Sequence, residues 1–352
     1  MSTRRARSLI LGAVLTAATM LAAGCSSDSS AAETPSDSGP AELRIGYQAI
    51  PNGDLVVKSE GWLEEALPGT RITWTKFESG GDVNTAFIAG ALDIGLAGSS
   101  PVVRGLSEPN NISYAVPWIH DVIGEAESLV APSASGVTRV EGLRGKKIAT
   151  PFASTAHYSL LAGLSQAGVA ESDVTIVDLE PTDILAAWTR GDIDAAYVWS
   201  PTLDELKASG GTVLATSKAL AEAGYPTYDL AVVSNDFRQK YPTAVQAWLQ
   251  QQDRAVQLIN SDPAAAAAAI APELAISADQ VQEQLKGLEF LGAAQQASST
   301  YFGSADEPGS FADSLLKAAE FQKAQGKIDA VPTLATLQQG IDLANFDAAF
   351  VK

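Results

Sequence analysis

The amino-acid sequence predicts an α/β fold with two lobes, from three observations. Short apolar segments alternate with helical stretches up to residue 233, which is typical of sheets built from strand–helix units. A folded part of roughly 310 residues is larger than one ordinary hydrophobic core. A helix–turn–strand pattern occurs at residues 90–101 and again at 191–201, where Gly, Asp, an apolar strand and Ser-Pro follow one another. Two lobes with one such unit each would produce this repeat, although turns of this composition are common enough to recur by chance.

The predicted elements follow in order along the chain. Strands are indicated by short apolar segments rich in β-branched or aromatic residues, and helices by apolar residues three and four apart. We predict strands at 42–47, 71–77, 93–97, 146–150, 173–179, 195–198 and 230–233. We predict helices at 55–62, 83–89, 157–166, 181–189, 243–260, 264–269, 311–325 and 334–343.

The N-terminus has the pattern of an export signal. Three arginines precede an apolar run at 9–23, which is shorter than the roughly 20 residues of a typical transmembrane helix. Cys25, the only cysteine, follows directly and resembles the lipidated cysteine of bacterial lipoproteins. Residues 26–40 are mostly Ser, Asp, Ala and Pro, which is typical of a flexible tether. We expect a signal peptide at 1–24 and a lipid-anchored Cys25 with its tether at 25–40; an ordinary signal peptide with an incidental cysteine is the alternative.

The net charge excludes two classes of partner. The chain carries a formal charge of −18, and residues 1–24 contain three Arg and no acidic residue, so the exported part is still more negative. Nucleic-acid binding requires a basic footprint, and adhesion to anionic lipid requires basic residues as well. Contact with the membrane must therefore come from the covalent anchor, and an anionic ligand must be held by local donors.

Residues that carry catalysis and metal binding are scarce. The chain has one Cys and two His, His120 and His157, which are too few for a zinc site with four Cys/His ligands. It lacks the motifs of a nucleophile elbow, a phosphate-binding loop, a dinucleotide-binding fold and a zinc protease. We therefore expect a protein that is not an enzyme, with no catalytic residue, metal or cofactor.

Two Ser-rich junctions follow predicted strands and open helices. Ser100 is expected to cap one helix, with Ser99 before it and Pro101 after it, and Ser154 with Thr155 opens the other. The free N–H groups and the positive dipole end of each helix make an uncharged anion site. Two such sites across a cleft would suit a sulfonate, which stays ionised and accepts several hydrogen bonds. Plain helix capping is the alternative.

Asp229 and Trp199 are the candidates for holding an ammonium group on the same ligand. Such a group needs a carboxylate or an aromatic face. Asp229 precedes the apolar strand at 230–233, and Trp199 ends the strand at 195–198. A turn acid and a core aromatic are the respective alternatives. His157 is expected to be a partly buried helix residue rather than a base.

Six segments of the sequence resemble one known family. They are residues 74–80, 93–101, 148–161, 186–201, 226–229 and 325–327. The sequence there resembles the taurine-binding proteins of bacterial ABC importers, within the wider class of sulfonate-, nitrate- and thiamine-precursor-binding proteins. The Pro-Phe-x-Ser-Thr-x-His-Tyr segment at 151–158 is the specific one within this class, and it points to taurine rather than to longer alkanesulfonates.

The resemblance implies the type II periplasmic-binding-protein fold, in which two α/β lobes joined by two crossing strands close on the ligand. The crossings would lie near 127–130 and 230–233. Lobe 1 would contain residues 41–128 with 232–352, and lobe 2 would contain residues 129–231.

The resemblance also implies an extracytoplasmic, lipid-anchored monomer that captures taurine and delivers it to an ABC permease and its ATPase. The residues expected at the ligand are Gln48, Ser99, Ser100, Glu127, Ser154, Thr155, His157, Trp199 and Asp229. Some relatives carry an acid in the loop after the first strand, where this chain has Asn52, with Asp54 two residues on. Two alternatives stay open: binding of another small anion or zwitterion (an alkanesulfonate, an aminophosphonate or glycine betaine), and an enzyme similar to the thiamine-pyrimidine synthase.

Overall fold

The computed structural model describes residues 39–350. The predicted signal peptide at 1–24, the predicted lipidation of Cys25 and the tether up to residue 38 lie outside the described residues. The described residues belong to one compact unit that contains two separate sheets. Between residues 39 and 350, every helix falls short of the length or the hydropathy that a transmembrane span needs.

Strands from both halves of the chain make up the two sheets. They are β1 (Glu42–Gln48), β2 (Arg71–Phe77), β3 (Ile94–Gly98), β4 (Tyr114–Ile123), β5 (Glu127–Pro132), β6 (Lys147–Thr150), β7 (Thr175–Asp178), β8 (Ala195–Trp199), β9 (Gly211–Thr216), β10 (Tyr228–Ser234) and β11 (Leu288–Glu289). The first sheet has the order β11-β4-β10-β3-β1-β2, and the second has the order β7-β6-β8-β5-β9. In the first sheet β1 is parallel to β2 and β3, and in the second β6 is parallel to β7 and β8. The strands β10 and β5 add antiparallel pairs.

Helices connect the strands and cover both sheets. They are α1 (Gly53–Glu60), α2 (Trp62–Ala66), α3 (Gly80–Ile88), α4 (Ser99–Leu106), α5 (Thr155–Gln166), α6 (Pro181–Arg190), α7 (Thr202–Ala208), α8 (Ser217–Glu222), α9 (Asn235–Lys240), α10 (Pro242–Ser261), α11 (Pro263–Leu274), α12 (Ala278–Leu285), α13 (Ala293–Gln296), α14 (Phe311–Ala324), α15 (Leu334–Gln339) and α16 (Leu343–Phe350). The predicted helix at 55–62 is in fact two helices, because Gly61 has a φ of +65° and ends α1 in the left-handed conformation.

The buried cores lie on the faces of the two sheets. Every residue of β3 is buried, as expected for a strand covered on both faces. The first sheet packs on a large core that includes Trp118 and Trp248, both without exposed surface. Adjacent residues of a strand point to opposite faces, so Leu129 and Val130 of β5 belong to two different cores on either side of the second sheet.

The chain crosses from one sheet to the other twice. It leaves the first sheet after Ile123 and enters the second at Glu127, and it returns through α8 between β9 and β10. The intervening Gly124 lies against another backbone, since a Cβ at Gly124 would be 2.5 Å from the carbonyl oxygen of Gly287. The α/β class and the presence of two sheet-based lobes are confirmed, and the lobe boundaries at 128/129 and 231/232 stay a prediction.

Gly105 provides a test of packing in the first lobe. A Cβ at this position of α4 would lie 1.8 Å from the phenol oxygen of Tyr114, which is buried and donates to the Oδ1 of Asn84 at 3.1 Å. We expect Gly105→Ala to lower the free energy of unfolding by about 1–3 kcal/mol, the usual effect of overpacking. Urea denaturation measures this change.

Gly163→Ala is the matched control for Gly105→Ala. Gly163 is also helical, in α5, but its Cβ would have 4.0 Å of clearance to Leu220. The substitution is expected to leave stability unchanged or to raise it by up to about 1 kcal/mol, because alanine has less freedom than glycine in the unfolded chain. Equal destabilisation by both substitutions would contradict the packing described for Tyr114.

Candidate functional site

A cavity lies where the two sheets face each other. Its volume is about 480 Å³ with the open space at its mouth included. The lining includes six of the nine residues predicted from the sequence, namely Gln48, Glu127, Ser154, Thr155, Trp199 and Asp229. Residues that were not predicted complete the wall, namely Ile50, Pro51, Gly80, Gly98, Pro101, Ile123, Ala126, Ser200 and Leu288.

Three helices begin at this cavity. Gly80 opens α3, Gly98 precedes α4, and Ser154 with Thr155 opens α5. Each helix presents unpaired N–H groups and the positive end of its dipole, which favour an anion. No Lys or Arg is found among the described residues that line the cavity, so these helix ends are its positive feature. The strand–Ser–helix pattern also occurs at Ser79 and Gly80, and it could have identified α3 from the sequence.

Ser99 and Ser100 lie in the first turn of α4, and their contact with the ligand stays a prediction. Helix α4 begins at Ser99, and its N-cap is Gly98 without a side-chain cap, so the prediction that Ser100 caps this helix is wrong. The hydroxyl of Ser99 accepts a hydrogen bond from the backbone N–H of Tyr228 at 3.2 Å. Both serines are buried and stand outside the set that lines the cavity. At the start of this helix, Gly98 and Pro101 are the residues that line the cavity.

Ser154 and Thr155 lie on the other side of the cavity. Ser154 caps α5 as predicted, accepting from the backbone N–H of His157 at 3.1 Å. The hydroxyl of Thr155 donates to Glu127 at 2.5 Å. The two helix junctions meet across the lobes, because a Cβ at Gly98 would lie 2.5 Å from the Cγ2 of Thr155.

Glu127 is a buried carboxylate fixed by hydroxyl groups. Besides Thr155, it accepts from Ser217 at 2.7 Å and from Ser159 at 3.4 Å. Burial raises the pKa of Glu127 to about 7, although these three hydrogen bonds act in the opposite direction. The side chain is thereby held at the wall of the cavity without a cationic partner in the described chain.

Asp229 is the second carboxylate at the wall. It is only 8% exposed, and no hydrogen bond to its carboxylate occurs among the described residues. Strand pairing places Asp229 between Gly98 of β3 and Asp121 of β4. Burial, with the charge of Glu127 adding to it, raises the pKa of Asp229 to about 8. A cation in the cavity would remove the cost of ionising this group.

Gln48 and Trp199 add a polar and an aromatic wall. The amide nitrogen of Gln48 donates to the carbonyl of Leu96 at 3.0 Å, which fixes its orientation. Trp199 ends β8 and pairs in register with Glu127, which places the two side chains on the same face of the sheet. It is the single aromatic side chain among the described residues lining the cavity.

His157 lies outside the cavity. Its ring stacks on Phe152 with 4.6 Å between centroids, and its Nδ1 accepts from the backbone N–H of Ala153 at 3.3 Å. Burial, with the charges of Lys327 and Arg104 adding to it, lowers the pKa of His157 to about 4. A neutral, packed ring agrees with the expectation of a helix residue rather than a base, and its placement at the ligand stays a prediction.

The loop after β1 carries Asn52 at the position where some relatives carry an acid. Asn52 caps α1, accepting from the backbone N–H of Asp54 at 2.9 Å. Asp54 itself lies away from the cavity, where it accepts from Gln252 at 2.8 Å and lies 3.6 Å from His120. Across residues 39–350, no group of His, Cys, Asp or Glu side chains has the geometry of a metal site.

Comparison with known proteins identifies relatives of the chain. Residues 52–266 match the family model described as NMT1/THI5 like. The taurine-binding periplasmic protein of Escherichia coli (strain K12) is 35% identical over 295 residues, which cover 82% of this chain and 88% of that protein. The resemblance indicated by the six sequence segments is therefore confirmed.

Two solved structures share the fold. The alkanesulfonate-binding protein SsuA from Xanthomonas axonopodis pv. citri, bound to MOPS, has a TM-score of 0.70 at 24% identity and covers 86% of this chain and 98% of its own. The Candida albicans CA3427 gene product, described as having the generic periplasmic binding protein structural fold, has a TM-score of 0.66 at 14% identity and covers 86% and 96%. At these identities the likeness establishes the fold alone, and it confirms the two-lobed periplasmic-binding-protein fold. With its family model matched and a relative similar over most of its length, this chain belongs to the NMT1/THI5-like family.

Proposed function

We propose that this protein is the extracytoplasmic substrate-binding component of an ABC importer and that it captures taurine between its lobes. The observation that carries the proposal is the pairing, in one cavity, of helix N-termini with buried carboxylates that have no cationic partner in the described chain. A zwitterion with a fixed negative end and a positive end satisfies both sets of groups. The taurine-binding relative, at 35% identity, supports this choice of ligand.

The sulfonate end belongs with the helix N-termini. A sulfonate is ionised at any biological pH, and its three oxygens can accept hydrogen bonds from backbone N–H groups in the first turns of α3, α4 and α5, which begin at the cavity. The strongly negative net charge of the chain gives no general attraction for an anion, so this local array must supply it. Three helix N-termini at one cavity form a local anion-binding site.

The ammonium end belongs with Asp229 and Glu127. Charge-assisted hydrogen bonds from an ammonium group to carboxylates are stronger than neutral ones, and here they form in a buried setting. The two ends of the site adjoin, because Glu127 accepts from Thr155 and Asp229 pairs in register with Gly98. Adjoining ends favour a ligand in which only two carbons separate the charges.

The alternative ligands fit this cavity less well. A longer alkanesulfonate would gain from the apolar wall at Ile50, Ile123 and Leu288, but it would leave both carboxylates without a cation. Glycine betaine carries a quaternary ammonium group, which is usually held by several aromatic rings, and Trp199 is the one aromatic side chain in the described lining. An aminophosphonate keeps the ammonium group and is the nearest competitor.

The proposed role in import rests on the similarity to the taurine-binding relative. The relative at 35% identity is a binding protein by name, so an enzyme similar to the thiamine-pyrimidine synthase is not favoured. Within this proposal Cys25 is the lipid-anchored residue and the closed lobes are the form that an ABC permease receives. The protein acts as a monomer in this scheme.

Calorimetric titration tests the choice of ligand. We expect clear binding of taurine, with binding of 2-aminoethylphosphonate, glycine betaine and hexanesulfonate weaker by at least about tenfold each. Hexanesulfonate tests the need for the ammonium group, because it has the same anionic group as taurine and an uncharged alkyl chain. Binding of hexanesulfonate without binding of taurine would refute the proposal.

A further inference from the structure

Asp121 is a buried acid beside the cavity, and the proposed binding of taurine gives it no role. It has no exposed surface, and neither of its carboxylate oxygens meets a hydrogen-bond donor among the described residues. Strand pairing sets Asp121 of β4 directly opposite Asp229 of β10. Side chains of directly paired residues lie on the same face of a sheet, so the two carboxylates are neighbours.

The orientation of Asp121 is toward the cavity. Alternate residues of a strand point to the same face, and Ile123, two residues further along β4, lines the cavity. His120, the intervening residue, points the other way, toward Asp54 at 3.6 Å and the ring of Trp248. Asp121 therefore lies beneath the cavity wall, behind Asp229.

The charges that face Asp121 are all negative. Burial raises the pKa of Asp121 well above its usual range, and the charges of Asp229 and Glu127 raise it further. No Lys, Arg or protonated His acts on it from β10, β4 or the second lobe in the described chain. A buried carboxylate without a partner is costly, and three of them in one place cannot all be ionised without a cation.

We propose that Asp121 is a specificity-determining residue, which acts through Asp229 to make the site select ligands with an ammonium group over sulfonates without one. The inference rests on the proposed function and deepens it. In the empty site the carboxylates share at least one proton, and entry of an ammonium group releases that proton to solvent as the carboxylates ionise. A ligand with an uncharged end brings no cation and gains nothing from Asp121.

Two ligands of equal length isolate this effect. Taurine and isethionate share a two-carbon sulfonate, and isethionate has a hydroxyl group in place of the ammonium group. We expect wild-type protein to prefer taurine and Asp121→Asn to reduce the taurine-to-isethionate affinity ratio by at least about tenfold. Titration in buffers with different heats of ionisation counts protons: wild type is expected to release protons on binding taurine, so its affinity rises with pH, and Asp121→Asn is expected to release fewer.

The outcomes separate the inference from the proposed function. An unchanged affinity ratio and an unchanged proton count in Asp121→Asn would overturn the role of Asp121 and leave taurine capture intact. Absence of taurine binding in wild-type protein would overturn both. Asp121→Ser, which also removes the charge, is measured beside it. Failure of both variants to fold would assign Asp121 a structural role and overturn the inference.

Discussion

Asp229→Asn is expected to weaken taurine binding by about 30- to 3,000-fold, the range seen when one member of a buried charged pair is removed. The substitution keeps the size of the side chain and removes the charge. Asp229 lines the cavity with no other hydrogen-bond partner in the described structure, so the loss is assigned to the ligand contact. Calorimetry gives the affinity, and thermal melting of the ligand-free protein is expected to show equal or greater stability, since an unpaired buried acid is gone.

Asp192→Asn is the matched control for Asp229→Asn. Asp192 has a side chain that is 55% exposed, and it pairs with Arg190 on the surface at 2.7 Å. Surface ion pairs of this kind contribute little, and Asp192 is not among the residues that line the cavity. Taurine affinity should remain within about twofold of wild type. Equal losses in the two variants would mean that the ammonium site lies elsewhere.

Gly98→Ala is expected to weaken taurine binding by about 10- to 100-fold without unfolding the protein, because overpacking costs about 1–3 kcal/mol in the closed state alone. The added Cβ would lie 2.5 Å from the Cγ2 of Thr155, which belongs to the other sheet. The backbone at Gly98 is extended, with φ −65°, so alanine itself adopts it without strain. The methyl group therefore acts by holding the lobes apart.

Gly81→Ala shows whether the effect is specific to that contact. Gly81 also lies where the lobes meet, but its Cβ would keep 3.7 Å from the carbonyl oxygen of Phe152 and 3.6 Å from the hydroxyl of Ser79. These are ordinary contact distances, and taurine affinity should change little. With saturating taurine, small-angle scattering should show that Gly98→Ala stays in the open form. Under the same conditions Gly81→Ala should close. Closure of both variants alike would contradict the contact between Gly98 and Thr155.

Much of the fold could be predicted because its parallel strands are locally distinctive. The strand predicted at 71–77 coincides with β2, and the helix predicted at 243–260 lies within α10. In contrast, β4 was missed. Its sequence contains Pro117 and Asp121, residue types that are unfavourable in a strand. The packing of β4 between β10 and β11 overrides these local preferences, and only the folded chain shows it.

The lining of the cavity was predicted in part, and two serine positions show why. A serine before a helix has the same pattern whether its hydroxyl faces a ligand or the protein, so Ser154 at the cavity and Ser99 under β10 look alike in sequence. Asp121 carries no local signal at all. Its position opposite Asp229 depends on the register of two strands that are distant in the chain.

A crystal structure of the taurine complex tests the central claim most directly. We predict the sulfur atom among the N-termini of α3, α4 and α5, and the taurine nitrogen within hydrogen-bond distance of Asp229 and Glu127. Taurine in the reverse orientation, or bound outside the space between the two sheets, would contradict the account.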